Sequence, residues 1–134
     1  MKEKITSEKG PKPAGPYSPA LRVNGFVFLS GQISADPNTG ELVNDSIQAA
    51  TARALENLKL VLEGAGLSLD DIVRTTVYLK DMNDFAEMNE AYGAHFGTTP
   101  PARTTIQVAR LPRDARIEID AIALDPHHKY PFAK

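Results

Sequence analysis

One long amphipathic helix, predicted over about residues 46–63, constrains the fold of this chain most. Asn44 or Asp45 can cap its beginning, and the glycines at 64 and 66 can end it. Its apolar residues recur every three or four positions and form one continuous stripe, which must be buried against a second layer. The stripe consists of Ile47, Ala50, Ala54, Leu58, Val61 and Ala65, widened by Leu55 and Leu62.

Strand patterns on both sides of this helix supply that second layer. Residues 20–24 and 26–33 are rich in β-formers and meet at Asn24-Gly25, a strong hairpin signal. Residues 72–80 are predicted to form a further strand. A second helix is predicted over residues 81–96, with Asn83 or Asp84 as its cap. The strand carries Val73, Thr75, Val77 and Leu79 on one side, and the second helix carries Phe85, Met88, Tyr92 and Phe96 on one stripe.

Two short strands joined by a turn follow, which gives the order ββαβαββ. This order predicts an α+β sandwich in which two helices cover one face of a mixed sheet. Ile72, Val73 and Val77 leave apolar groups on both sides of their strand, so another subunit is expected to cover the open face. We expect one domain over residues 1–134, with an irregular tail over about 125–134.

Composition excludes several classes of function. The net charge of -2 is too small to indicate nucleic-acid binding or attraction to an anionic membrane. The chain has no cysteine, no secretory signal and no apolar run of membrane-spanning length, so we expect a cytoplasmic protein. His127 and His128 are adjacent but lack further ligands in the pattern, so no metal site is predicted.

The last two strands carry the chain's most suggestive charges. Side chains alternate along a strand, so Arg103, Thr105 and Gln107 share one face, and Glu118 lies between two isoleucines on the other strand. A fixed cation and a fixed carboxylate can hold a small carboxylic acid and move a proton beside it. The same two residues can equally form an ion pair on the sheet, and the pattern leaves both interpretations open.

Three further positions stand out. Tyr17 is a large amphipathic side chain on a backbone restricted by four prolines within residues 10–19. Ser30-Gly31 can bring bare backbone close to a ligand, or can simply mark a bulge or the end of a strand. Asn89 lies at the edge of the second helix's apolar stripe and can equally be a partly exposed polar residue.

Taken together, the motifs resemble those of the Rid (YjgF) family of imine deaminases. The similarity runs from about residue 5 to residue 124, and the spacing of Pro-Ala-Arg and Ile-Glu-Ile is its most specific part. The matching segments are Ala14-Gly15-Pro16-Tyr17-Ser18-Pro19, Ser30-Gly31-Gln32-Ile33, Thr75–Phe85, Met88-Asn89, Tyr92, Pro101-Ala102-Arg103, Leu111-Pro112 and Ile117-Glu118-Ile119.

This resemblance implies a chorismate-mutase-like (YjgF-like) two-layer sandwich that assembles as a homotrimer with clefts between subunits. It implies hydrolysis of 2-imino acids, the tautomers of enamines such as 2-aminoacrylate released by pyridoxal-phosphate dehydratases, to 2-keto acids and ammonia. No cofactor and no metal are implied. The open sheet face inferred above agrees with such an assembly.

The resemblance also implies roles for particular residues. Arg103 would bind the substrate carboxylate, Glu118 would polarise the attacking water, and Tyr17 would close the cleft. The pocket would be lined by Ser30, Gly31, Asn89, Thr105 and Phe85.

Thr105 stands where many members have cysteine, so thiolate chemistry is lost there while activity based on water and Glu118 should survive. Two alternatives remain: a non-catalytic trimer that binds small carboxylates or acts as a chaperone-like partner, and an endoribonuclease or translation inhibitor.

Overall fold

The computed structural model of the chain describes residues 1–129 of the 134. Six strands and two helices are arranged in two layers, with both helices on one face of a mixed sheet, as the sequence predicts. The elements are β1 (Glu3–Ile5), β2 (Ala20–Val23), β3 (Phe26–Ile33), α1 (Ile47–Gly64), β4 (Ile72–Leu79), α2 (Phe85–Gly93), β5 (Ala102–Gln107) and β6 (Ile117–Leu124).

The strand order in the sheet is β1-β2-β3-β6-β4-β5, with β4 and β5 parallel and every other pair antiparallel. Two features depart from the sequence prediction. The short N-terminal strand β1 pairs with β2 and was not predicted. The last two strands are not neighbours either, because β4 lies between β5 and β6.

Helix α1 supplies most of the core that covers the sheet. Leu55, Leu58 and Leu62 are fully buried, and each such side chain contributes about 2 kcal/mol by leaving water. The predicted caps Asn44 and Asp45 are wrong: Ser46 caps the helix, and its hydroxyl accepts a hydrogen bond from the Ala49 backbone N–H at 3.0 Å.

Helix α2 is shorter than the predicted span of residues 81–96. A single 3₁₀ turn, Met82–Asp84, precedes it, and the Asp81 side chain accepts a hydrogen bond from the Asn83 backbone N–H. The helix itself begins at Phe85 and buries Met88 and Tyr92 against the sheet. Asp84, one of the two predicted caps, does occupy the N-cap position of the helix, but its side chain makes no capping hydrogen bond.

Strand β4 contains a bulge that the period-2 pattern did not reveal. Ile72 pairs with Ala123 but Arg74 pairs with Ile122, so Val73 is an extra residue in the ladder. An extra residue reverses the alternation beyond it. Ile72 therefore faces the core together with Thr75 and Val77, and Val73 is exposed instead of sharing their face.

The sheet face opposite the helices is uncovered in the single chain. Five large apolar side chains lie exposed on it or at its ends, a composition typical of a surface that another subunit covers. They are Phe26, Phe28, Val73, Ile106 and Leu124.

Candidate functional site

A cavity of about 170 Å³ lies between the proline-rich segment 11–19 and the sheet. Three of the residues singled out in the sequence line it together: Tyr17, Gly31 and Glu118. Ser30 does not line this cavity and instead lies in an adjoining shallow groove with Tyr17. A carboxyl group, a phenol and bare backbone therefore share one small pocket.

Gly31 makes room for the Glu118 carboxyl group. The ladder between β3 and β6 shifts register between Leu29 and Gln32, which places a bulge at Ser30-Gly31. A Cβ at position 31 would collide with the carboxyl oxygen of Glu118. The bulge interpretation of this dipeptide is confirmed. Its bare backbone closely approaches the Glu118 carboxyl group, and its approach to a ligand stays a prediction.

Burial raises the pKa of Glu118 above its ordinary value, and the nearby Asp120 raises it further. The two carboxyls are two residues apart on one strand and hence on the same face of the sheet. The Tyr78 hydroxyl donates a hydrogen bond to Asp120 at 2.9 Å, which raises the pKa of Tyr78 in turn. The alternation of Glu118 and Asp120 along their strand could have indicated this pair, which was not predicted from the sequence.

Tyr17 is held at the mouth of the cavity by its own segment. Its hydroxyl accepts a hydrogen bond from the Ala14 backbone N–H at 3.2 Å, and its ring is 48% exposed. The Ser30 hydroxyl donates to the Ser18 carbonyl at 2.7 Å and fastens the segment to β3. Ser30 thus positions the proline-rich segment 11–19, which carries Tyr17.

The far wall of the cavity depends on a buried amide that the sequence analysis did not identify. Asn57 on α1 is fully buried and donates to the carbonyls of Ile33 and Ala35 at 3.1 and 2.8 Å. Both of these residues line the cavity. A buried polar residue in an apolar helix stripe was the available signal.

Arg103 lies elsewhere, against helix α2. Its guanidinium stands 4.7 Å from the ring centre of Tyr92 and 5.6 Å from that of Phe85, with Met88 Sδ at 3.8 Å. Within residues 1–129 it forms no ion pair, so the interpretation of Arg103 and Glu118 as a strand ion pair is wrong. A cation resting on aromatic faces remains free to bind an anion.

Tyr92 is itself fixed by a buried hydrogen bond between its hydroxyl and that of Thr75, 2.7 Å apart. Desolvation raises the pKa of Tyr92, so the phenol stays neutral beneath the cation. In the sequence, Tyr92 appeared as a core residue of the helix stripe and as one of the matching family residues, without a role beneath Arg103.

Two buried polar atoms near Arg103 lack a hydrogen-bond partner among residues 1–129: Thr105 Oγ1 and Asn89 Oδ1. Thr105 shares the face of Arg103 on β5, as predicted. Asn89 lies one helical turn from both Phe85 and Tyr92. Unpartnered buried polar atoms are uncommon and mark positions where a ligand can complete the hydrogen bonding.

Strand register separates the two groups. Arg103 pairs with Thr75 and Thr75 with Ala121, all on the helix face, whereas Glu118 pairs with Tyr78 and faces the open side. The chain therefore brings Tyr17, Gly31 and Glu118 together in one group and Arg103, Thr105, Asn89 and Phe85 in another. It does not bring the two groups together on one face.

Within residues 1–129, no three His, Asp or Glu side chains converge in a way that could hold a metal ion. No helix in the same range is long and apolar enough to cross a bilayer.

A family profile and several known proteins match this chain over most of its length. A sequence profile described as Endoribonuclease L-PSP matches residues 7–125. A RutC family protein of Pyrococcus horikoshii is 55% identical over 92% of this chain and 98% of its own length. The 2-iminobutanoate/2-iminopropanoate deaminase of Salmonella typhimurium is 46% identical over 92% of this chain and 98% of its own.

Among solved structures, E. coli TdcF with bound serine superposes with a TM-score of 0.84 at 42% identity. The match covers 91% of this chain and 98% of TdcF. The fold is therefore shared with a protein whose crystal structure holds a small amino acid.

Proposed function

The chain belongs to the Rid/YjgF (endoribonuclease L-PSP) family, and we propose that it hydrolyses 2-imino acids to 2-keto acids and ammonia. The observation that carries this proposal is the Glu118 carboxyl group, half-buried in a small cavity beside Tyr17 and the bare backbone of Gly31. A relative of 46% identity bears the name of such a deaminase, which supports the same chemistry.

The substrate would be held between subunits of a homotrimer. Arg103 and Glu118 lie on opposite faces of one sheet, so one chain cannot apply both to the same small molecule. The exposed apolar residues of the open face favour assembly with further copies, which would bring one subunit's Arg103 to another's Glu118. Thr105, Asn89 and Phe85 would accompany Arg103 in lining the cleft, and Ser30 would support Tyr17 from the other subunit.

In the proposed reaction Arg103 binds the α-carboxylate, and the planar fork of its guanidinium fixes the orientation of the imine. Glu118 takes a proton from water as the water oxygen bonds to the imine carbon and the C=N electron pair moves to nitrogen. This proton then passes to nitrogen and gives a tetrahedral amino alcohol. In a second transfer the hydroxyl proton moves to the amino group while the C=O bond forms and the C–N bond breaks, which releases ammonia and the 2-keto acid. A carboxyl whose pKa lies above its ordinary value is suited to both proton transfers.

The test is 2-keto acid release from imines generated in situ, measured as acceleration over spontaneous hydrolysis. We expect wild type to accelerate release and both Arg103→Ala and Glu118→Ala to lose most of the acceleration. Arg110→Ala is the matched control, because Arg110 is an exposed arginine that, among residues 1–129, pairs with the Asp114 carboxylate alone. Wild-type protein that accelerates no imine, small or bulky, would refute the deaminase.

A second candidate is a non-catalytic trimer that binds small carboxylates. It is favoured by the serine bound in E. coli TdcF and by Arg103, which has no carboxylate partner within residues 1–129. Two results together would support this alternative: wild type does not accelerate imine hydrolysis, and carboxylate binding survives Glu118→Ala.

The family profile's description raises the endoribonuclease alternative. The net charge of -2 argues against tight RNA binding, and absence of RNA affinity at moderate salt would dispose of it. In the cell, we expect a cytoplasmic role downstream of pyridoxal-phosphate dehydratases, whose released enamines tautomerise to the proposed substrates. The proposal requires no cofactor.

A further inference from the structure

Two cations line the same cavity as Glu118: Lys12 and Arg113. Both side chains are exposed at its mouth. Neither forms an ion pair within residues 1–129, whereas the nearby arginines 110 and 116 each hold a carboxylate. Two unneutralised cations therefore stand at the entrance of a pocket whose other lining is mostly proline, alanine and isoleucine.

Arg113 is held in a costly backbone conformation. Its φ is 57° and that of Asp114 is 56°, the left-handed region that is sterically strained for a residue with a Cβ. Turn hydrogen bonds from Asp114 to Leu111 and from Ala115 to Pro112, both 3.1 Å, stabilise this geometry. Strain at a pocket edge is a reason to look for a function of the side chain it presents.

The same turn keeps Arg113 free of its neighbour's charge. The Asp114 carboxylate is bound by Arg110 at 3.0 Å, and the Asp114 carbonyl accepts from the Asn44 amide at 3.4 Å. The carboxyl closest to Arg113 in sequence is thus engaged elsewhere. The positive charge of Arg113 remains available to the cavity mouth.

The cations do not neutralise Glu118 either. The pKa of Glu118 is raised by burial and by Asp120, and neither Lys12 nor Arg113 offsets this. No ion pair links Glu118 to them. The carboxyl and the cations therefore line one cavity without contact, which leaves the space between them for a ligand.

We propose that Lys12 and Arg113 form an anion subsite that selects 2-imino acids carrying a second acidic group on the side chain. This inference rests on the proposed deaminase function. The α-carboxylate would go to Arg103 of another subunit and the distal carboxylate to the cations at the mouth of the Glu118 cavity. Exposed charges act partly through water, so the effect of each is modest and weakens with salt.

The experiment compares kcat/KM for the imine generated from aspartate with that for the imine generated from alanine. We expect Lys12→Gln and Arg113→Gln each to lower the aspartate-to-alanine ratio about threefold, the scale of a surface charge interaction, and the double variant about tenfold. Arg113→Lys should keep most of the wild-type aspartate-to-alanine ratio. Raised ionic strength should shrink the difference between wild type and the double variant.

Two variants separate recognition from a structural role. Arg113→Gly suits the left-handed backbone, so we expect its melting temperature to hold or rise while the ratio falls. Lys59→Gln removes a positive charge on α1, outside the cavity lining, and should leave the ratio unchanged. The subsite is overturned if the Lys12 and Arg113 variants keep the wild-type ratio of kcat/KM for the two imines. This includes the case in which kcat/KM falls equally for both imines. Failure of wild type on every imine would instead refute the deaminase.

Discussion

Arg103 and Glu118 face opposite sides of one β-sheet, although only 14 residues separate them in the sequence. Arg103 rests on aromatic rings beneath helix α2, and Glu118 occupies a cavity reached from the open face. If both act on one substrate, they come from different copies of the chain.

Mixing two inactive variants should restore activity. In a trimer with shared sites, Arg103→Ala and Glu118→Ala subunits exchanged at equal amounts should regain about one quarter of wild-type activity, because that fraction of interfaces pairs an intact arginine with an intact glutamate. Keto acid release before and after subunit exchange measures this. No recovery, with exchange verified by mass-tagged subunits, would contradict a site shared between chains.

Glu118→Gln should stabilise the fold near neutral pH while abolishing turnover. Because the folded-state pKa of Glu118 is raised, the folded chain holds this proton more tightly than the unfolded chain. The associated stability is complete below the unfolded pKa and is lost as pH rises through the folded pKa. Urea midpoints of wild type and variant should therefore diverge from about pH 4 to pH 8, with the variant higher at pH 8. A difference in urea midpoint that does not change with pH would count against this explanation.

Asp120→Asn should shift the acid limb of the kcat/KM profile to lower pH. Removing the Asp120 charge removes one of the two causes that raise the pKa of Glu118. Other polar or charged groups around it are Tyr17 and the two rim cations in the cavity, and Tyr78 on the neighbouring strand. Tyr78→Phe keeps both carboxyls and the ring but removes the hydrogen bond to Asp120, so it is the control for loss of that hydrogen bond. A profile unmoved by Asp120→Asn would show that burial alone sets the pKa.

Tyr92 should act on substrate binding through Arg103. Tyr92→Leu removes the ring under the guanidinium and should raise KM about 2- to 30-fold, the range of cation–π energies. Tyr92→Phe keeps the ring but leaves the buried Thr75 hydroxyl unpaired, so it should cost about 1–2 kcal/mol of stability with little change in KM. Equal KM values for the two variants would mean that the ring does not position Arg103.

Gly31→Ala should damage catalysis more than folding. The backbone at Gly31 is not left-handed, so alanine is conformationally acceptable there, but its Cβ would displace the Glu118 carboxyl group. We expect turnover close to that of Glu118→Ala, with an overpacking cost of about 1–3 kcal/mol. Gly93→Ala, whose Cβ would meet nothing within 4 Å, is the matched control. Normal turnover in Gly31→Ala would show that the carboxyl can move without loss of function.

The sequence by itself determined the elements whose patterns are local. The apolar stripe of α1, the Asn24-Gly25 hairpin and the shared face of Arg103 and Thr105 follow from helix and strand periodicity alone. The strands carry apolar residues on both faces, whereas the two helices cover only one face. This also indicated an open sheet face. The predicted cap of α1 was wrong, because Ser46 competes with equally good neighbours for the same position.

Only the tertiary structure decided which residues meet. Insertion of β6 between β3 and β4 brought Glu118 to Gly31, Asp120 to Tyr78, and Tyr17 to the same cavity. The bulge at Val73 and the placement of Arg103 under Tyr92 were likewise invisible in the sequence. Periodicity fixes the face of a residue relative to its own strand. Which face meets the helices, and which strand lies alongside, depends on long-range pairing that minimises exposed apolar surface across the whole chain.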